Sequence, residues 1–192
     1  MFDYLRDAYT NYAALEGLRV SNIHTGDPHV HVLFVSGRYA YGLLRGEQGQ
    51  HVFCYRVRSD THRAEVAVNV EPLLDAKAVD LSRLTIKELS RKGPTREGGV
   101  IYECQGTSSS FKILMNGSDI RNHAELASRI VYSREQTGRD GRKSHTREKP
   151  LRTYRVEEGT IKQESCDFQC TIDDFLKGTN PFVLARLELV FE

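Results

Sequence analysis

The chain has 192 residues and a formal net charge of +1, with 27 basic side chains against 26 acidic ones. Overall charge therefore selects neither a nucleic acid nor a membrane surface as partner, and local clusters must be read instead. The length suits one or two compact domains with a real core, and four cysteines at irregular spacing exclude a disulfide scaffold. A reducing compartment follows, the cytoplasm or the matrix or stroma of an organelle. No run reaches the ~18 apolar residues of a membrane span, so no membrane is expected as partner. The charged N-terminal stretch MFDYLRDAYTNYAALEGL lacks a signal-peptide core.

Phe2, Leu5, Tyr9, Tyr12, Ala13 and Leu15 recur at helical spacing, which predicts an amphipathic helix over 2–16 with Gly17 as its stop. Leu18, Val20 and Ile23 begin an alternating segment, residues 25–28 (Thr-Gly-Asp-Pro) make a turn, and 29–35 alternate as a strand that Ser36 and Gly37 end. Residues 40–45 are too few for periodicity to separate helix from extended chain. From His51 to Val70 two strands are joined by a polar link, Arg58, Ser59, Asp60, Thr61 and His62. In the first, Val52, Cys54 and Arg56 face one way and Phe53, Tyr55 and Val57 the other. In the second, Val66, Val68 and Val70 alternate with Ala67 and Asn69. A polar-flanked connector, 73–80, marks a domain boundary. Residues 81–90 read as a strand, 91–99 as a basic turn-rich loop, 100–105 as a strand, and 118–135 as a helix capped by Ser118. That helix carries an apolar stripe of Ile120, Ala124, Ala127, Ile130 and Val131. A basic linker spans 136–150. A strand over 160–172, a short helix over 173–178 and a last helix over 181–189 complete the reading.

The run YAYGLLRGEQGQH at 39–51 resembles the central motif of bacterial and organellar class I peptide chain release factors. Gly37, Tyr39, Ala40, Tyr41, Gly42, Leu44, Glu47, Gly49 and His51 fit that pattern, and Val52 departs from it by standing where the family has Arg. Pro94, Thr95, Val100, Cys104 and Gln105 are similar to a second family segment, Leu151-Arg152-Thr153-Tyr154 to a third, and 173–178 to the family's short terminal helix. The resemblance implies an α+β fold. It implies a codon-reading domain built from 1–75 plus 150–192, with a small strand, strand, helix domain at 76–149 inserted between them. It also implies that the long helical domain preceding these elements in full-length factors is absent. The family's hydrolytic loop carries Gly-Gly-Gln, and this sequence contains no such tripeptide; its one Gly-Gly, Gly98-Gly99, is followed by Val100. The resemblance therefore implies no catalytic residue and no peptidyl-tRNA hydrolysis. Gln105, inside an apolar strand, reads as a strand-end residue.

Three groups of residues are candidates for function. Arg58, Ser59, Asp60, Thr61 and His62 occupy the place of the family's codon-reading loop, but the segment is several residues short and carries neither family tripeptide. Reading bases would fall to Arg58, Thr61 and His62; the alternative is an ordinary hairpin turn. The basic residues Arg45, Arg91, Lys92, Arg142, Lys143 and Arg152 are candidates for phosphate contact, against solvated faces as the alternative. For Arg45 and Arg152 that alternative is pairing with Glu47 or a nearby acid. Cys166 and Cys170, and His29 and His31 with His24 nearby, have spacings that put pairs on one strand face. Neither set supplies the further ligands a metal requires, so neither metal nor cofactor is expected. The function implied is ribosome binding at the decoding site without peptide release, in termination control, rescue or inhibition. The alternatives are an RNA-binding or mRNA-stabilising protein that has left the ribosome, and a factor completed by a second protein that supplies hydrolysis.

Overall fold

The computed structural model describes residues 1–25, 27, 29–74, 85–91, 100–115, 120–137, 150–164 and 168–179. The chain forms two compact units, one from 1–21, 35–70 and 144–192 and the other from 22–34 and 71–143. The fold is α+β, with the mixed and antiparallel sheets expected of it.

In the first unit, helix α1 (Phe2–Leu15) buries Leu5, Tyr9, Tyr12 and Ala13 of the expected stripe, together with Ala8, while Leu15 is exposed. It ends where Gly17 takes φ +67, a left-handed conformation that a side chain disfavours, and the Gly17 and Leu18 amides close on the Ala14 and Ala13 carbonyls. Residues 40–45 resolve as helix: α2 (Ala40–Leu44) runs into a 3-10 turn at Arg45–Glu47. Strands β3 (Gly49–Val57) and β4 (Asp60–Val68) form a hairpin. The late strands β8 (Arg152–Arg155), β9 (Thr160–Gln163) and β10 (Phe168–Thr171) return to it. The sheet order is β10-β9-β8-β3-β4. Among the described residues of this sheet only the β3–β8 pair is parallel, in the register His51 to Arg152 and Phe53 to Tyr154. The single strand expected over 160–172 is therefore two antiparallel strands, paired Phe168 to Gln163 through Thr171 to Thr160. Helix α4 (Ile172–Leu176) is capped by the Thr171 hydroxyl, which accepts from the Asp174 amide, and it buries Ile172 and Phe175. Asn11 of α1 donates to the Leu176 carbonyl at 2.6 Å. Beside that bond Gly178 lies so close to α1 that a Cβ would meet the Tyr12 nitrogen at 2.4 Å.

The second unit holds an antiparallel sheet of β5 (Thr85–Arg91), β6 (Val100–Gln105) and β7 (Ser110–Met115), in that order, and helix α3 (Ile120–Thr137). Its core joins Cys104 of β6, Phe111 and Ile113 of β7, and Ala127 and Val131 of α3, which are apolar positions at strand and helix periods. Strand β7 adds to the strands expected from the sequence; the alternation of Phe111 and Ile113 with Ser110 and Lys112 is its signal. Ile23, Val32 and Phe34 also join this core. They come from β1 (Arg19–His24) and β2 (His31–Ser36), a two-stranded sheet, so residues 22–34, grouped with the codon-reading domain in the sequence reading, pack with the second unit. The connector is tied to α3 through Arg134 and Glu71 at 2.8 Å and through Arg129, which donates to the Leu74 carbonyl. Residues 92–99, residues 138–149 of the linker expected over 136–150, and the helix expected over 181–189 lie outside the described residues, while 136 and 137 end α3. Among the described residues no helix is long and apolar enough to cross a membrane.

Candidate functional site

Four of the motif residues, Glu47, His51, Arg152 and Tyr154, meet inside the first unit. Glu47, on the 3-10 turn, and Arg152, on β8, are both fully buried and joined by two hydrogen bonds: Nη1 to Oε2 at 2.5 Å and Nη2 to Oε1 at 2.6 Å. The Arg152 Nε donates to Gln163 Oε1 at 3.3 Å, and the Tyr9 hydroxyl donates to Glu47 Oε2 at 3.2 Å. His51, also fully buried, bridges the group: its Nε2 lies 3.0 Å from the Glu47 carbonyl and its Nδ1 2.8 Å from the Tyr154 hydroxyl. A carbonyl only accepts, so Nε2 carries the proton and Nδ1 accepts from Tyr154. Tyr154 stacks on Phe53 with ring centres 4.3 Å apart, and Phe175 sits edge-on to both Tyr154 and Tyr9.

The electrostatics follow from this packing. Burial pushes the Tyr154 phenol above its ordinary range, partly offset by the Arg152 charge, and burial together with the Glu47 charge pushes Tyr9 well above it. Burial by itself would lower the Arg152 pKa, but the facing Glu47 carboxylate keeps it raised. Both phenols stay protonated near neutrality, and Arg152 keeps its charge. Hydrogen-bonded to one another and withdrawn from water, these side chains form a clasp that ties β8 to β3. Arg152, expected as a phosphate contact, is the cation of this clasp. With no accessible surface it cannot reach a phosphate, and the alternative pairing with Glu47 is the one realised.

The other end of the hairpin is open. Val57 pairs directly with Asp60, so the expected five-residue link is a two-residue turn of Arg58 and Ser59, with Arg58 at φ +59. Asp60, Thr61 and His62 belong to β4. No loop of the family's length exists here, because β-pairing continues to the turn. Arg58, Ser59, Asp60, Thr61 and His62 are all exposed, and His62 stacks on Tyr55 with ring centres 5.7 Å apart and planes 23° apart. Arg56 and Arg63, absent from the sequence candidates, are exposed beside the turn; the cross-strand pairing of Arg56 with Thr61 and of Cys54 with Arg63 puts both on one face, a juxtaposition that only the register reveals.

Arg45 is exposed on its 3-10 turn. Arg91 closes β5, with its side chain outside the described residues; Lys92, Arg142 and Lys143 lie outside them altogether. Gln105 ends β6 and donates to Glu103 at 2.8 Å. His29 and His31 are exposed, and among the described residues no cluster of three or more His, Cys, Asp or Glu side chains is arranged to hold a metal ion. Cys170 is half-buried on β10, its thiol pushed up to about 11 by burial; Cys166 lies outside the described residues.

Comparison with solved structures finds RF2 of Thermus thermophilus, a class I release factor, superposing with a TM-score of 0.75 at 21% sequence identity. The fold is release-factor-like. The likeness covers 96% of this chain and 62% of the RF2 chain, so this chain spans less than two thirds of that protein's length. No protein-family profile and no curated protein matches the sequence. The chain thus has a release-factor-like fold at low sequence identity.

Proposed function

We propose that the protein binds ribosomes as a release-factor-like protein that does not hydrolyse peptidyl-tRNA, acting in termination control, ribosome rescue or inhibition. The observation that carries this reading is the pairing of a release-factor-like fold over 96% of the chain with a sequence that contains no Gly-Gly-Gln. Peptide release in that family rests on a positioned backbone and water, a matter of orientation and preorganised dipoles, and two adjacent glycines give the backbone the freedom such a loop needs. The exposed hairpin tip supports an RNA-facing role. Arg56, Arg58 and Arg63 supply charge for phosphates, and the Tyr55–His62 stack offers an aromatic surface to unpaired bases. Arg45, Arg91, Lys92, Arg142 and Lys143 remain the proposed further phosphate contacts.

The two-residue turn favours a second reading. Without a loop to present a tripeptide to a codon, the tip suits RNA contact without codon choice, as in a protein that binds or stabilises an mRNA away from the ribosome. A factor completed by a partner protein predicts instead that hydrolysis appears on adding that partner. Co-sedimentation with ribosomes at low salt tests the main reading. Pelleting that weakens with salt, and weakens further for an Arg56→Ala/Arg58→Ala/Arg63→Ala variant, is the expected result. Retention in the supernatant at low salt contradicts it.

A further inference from the structure

Strand β4 is the outermost strand of its sheet among the described residues. It pairs with β3 over nine consecutive residues with no register shift. A long, regular edge is a template for another strand, which native proteins usually blunt with bulges, prolines or charges; β4 has neither bulge nor proline. The direction of its free hydrogen-bonding groups follows from the turn. With two residues between them, Val57 and Asp60 must be a hydrogen-bonded pair, and the pattern then alternates. Asp60, His62, Ala64, Val66 and Val68 spend their main-chain groups on β3, so Thr61, Arg63, Glu65 and Ala67 point theirs outward. The same alternation places the Arg56 amide on the β8 side, where it donates to Glu157.

We propose that two copies of the chain pair antiparallel through β4, about a two-fold axis at Ala64. In that register Arg63 of one copy faces Glu65 of the second copy, and Glu65 faces the second Arg63. Thr61 faces Ala67 in the same manner. All four are residues with outward main-chain groups, so the register is also one in which about eight interstrand hydrogen bonds close. The axis falls on alanine, whose small side chain suits the close approach of a non-hydrogen-bonded pair. On the opposite face His62 meets Val66 and Asp60 meets Val68. Arg63 and Glu65, the two charges with outward main-chain groups, are complementary to the same strand run backwards, which singles out a second copy as the occupant. Arg63 and Glu65 now pair within their own strand at 2.8 Å, both exposed. Such a pair is worth little, and the dimer exchanges two of them, one in each copy, for two pairs between copies.

Sedimentation equilibrium of the full chain over a concentration series tests this. A monomer–dimer equilibrium is expected. Arg63→Glu should weaken it about tenfold by setting like charges opposite one another, and adding Glu65→Arg to that variant should restore it. Ala67→Pro removes one outward amide and leaves the β3 ladder intact, as edge positions allow; it should abolish the dimer while the unfolding midpoint measured in dilute solution is unchanged. A protein that is monomeric at every concentration overturns the proposal, and so does a dimer indifferent to the charge reversals.

Discussion

The β3–β4 hairpin is built differently at its two ends. Where β3 begins, His51, Val52 and Phe53 are all buried, and a neighbouring carboxylate, guanidinium and imidazole are held out of water with every partner supplied. Where it ends, Arg56, Val57, Arg58 and Ser59 are exposed, and the turn places a non-glycine residue at positive φ. One strand passes from a region where a polar group without its partner is costly to one where charge is nearly free to change. The difference teaches that a dense motif is not by itself a functional surface. Glu47, His51, Arg152 and Tyr154, which belong to the densest motifs of the sequence, are buried. The exposed basic residues of the hairpin tip, Arg56, Arg58 and Arg63, lie at its other end.

This contrast can be broken most severely inside the clasp. Arg152→Met should destabilise the protein by about 3–5 kcal/mol in chemical denaturation, because Glu47 is left as an unpaired buried charge. The double change Arg152→Met/Glu47→Leu should recover most of that loss, since a buried pair is often replaceable by apolar groups of similar volume. Gly178→Ala should cost about 1–3 kcal/mol by overpacking α1 against the new methyl, read in the same assay. His51→Phe keeps the ring but leaves the Glu47 carbonyl and Tyr154 hydroxyl without their partner, for a loss of about 1–3 kcal/mol.

Alkaline titration sharpens the contrast further. Tyr9 and Tyr154 have raised pKa values, Tyr12 is pushed up to about 12 by burial, and Cys170 to about 11. Raised values mean that the folded state holds protons the unfolded chain releases. Their contribution is fully present below the ordinary values of 9.0 for Cys and 10.0 for Tyr and is lost as pH rises towards the folded ones. Urea midpoints should therefore fall between pH 9 and 12, and Tyr12→Phe should flatten the slope. At the tip the effect is smallest and of opposite sign: Arg58→Gly should raise stability by up to about 1 kcal/mol by relieving the left-handed backbone, while lowering RNA affinity and its salt dependence.

Much of the fold was legible because periodicity marks whichever face is buried. The stripe of Ala127 and Val131 on α3 and the alternation of Val66 and Val68 on β4 both face cores. What escaped depended on long-range pairing. The division of 160–172 into β9 and β10 turns on a reversal inside a polar stretch, and the attachment of residues 22–34 to the second unit turns on where Ile23, Val32 and Phe34 find apolar neighbours. The site was legible in composition and not in geometry. Spacing could propose that Arg152 meets Glu47, 105 residues away, but not that both are dry, nor that Arg56 and Arg63 share a face beside a two-residue turn.

Ribosomes halted at a stop codon with a labelled peptidyl-tRNA provide the most direct test. Added alone, this protein should release no peptide; added in excess before an active release factor, it should slow that factor's release of the peptide. Peptide release by the purified protein alone, at the rate of the active factor, would contradict the account.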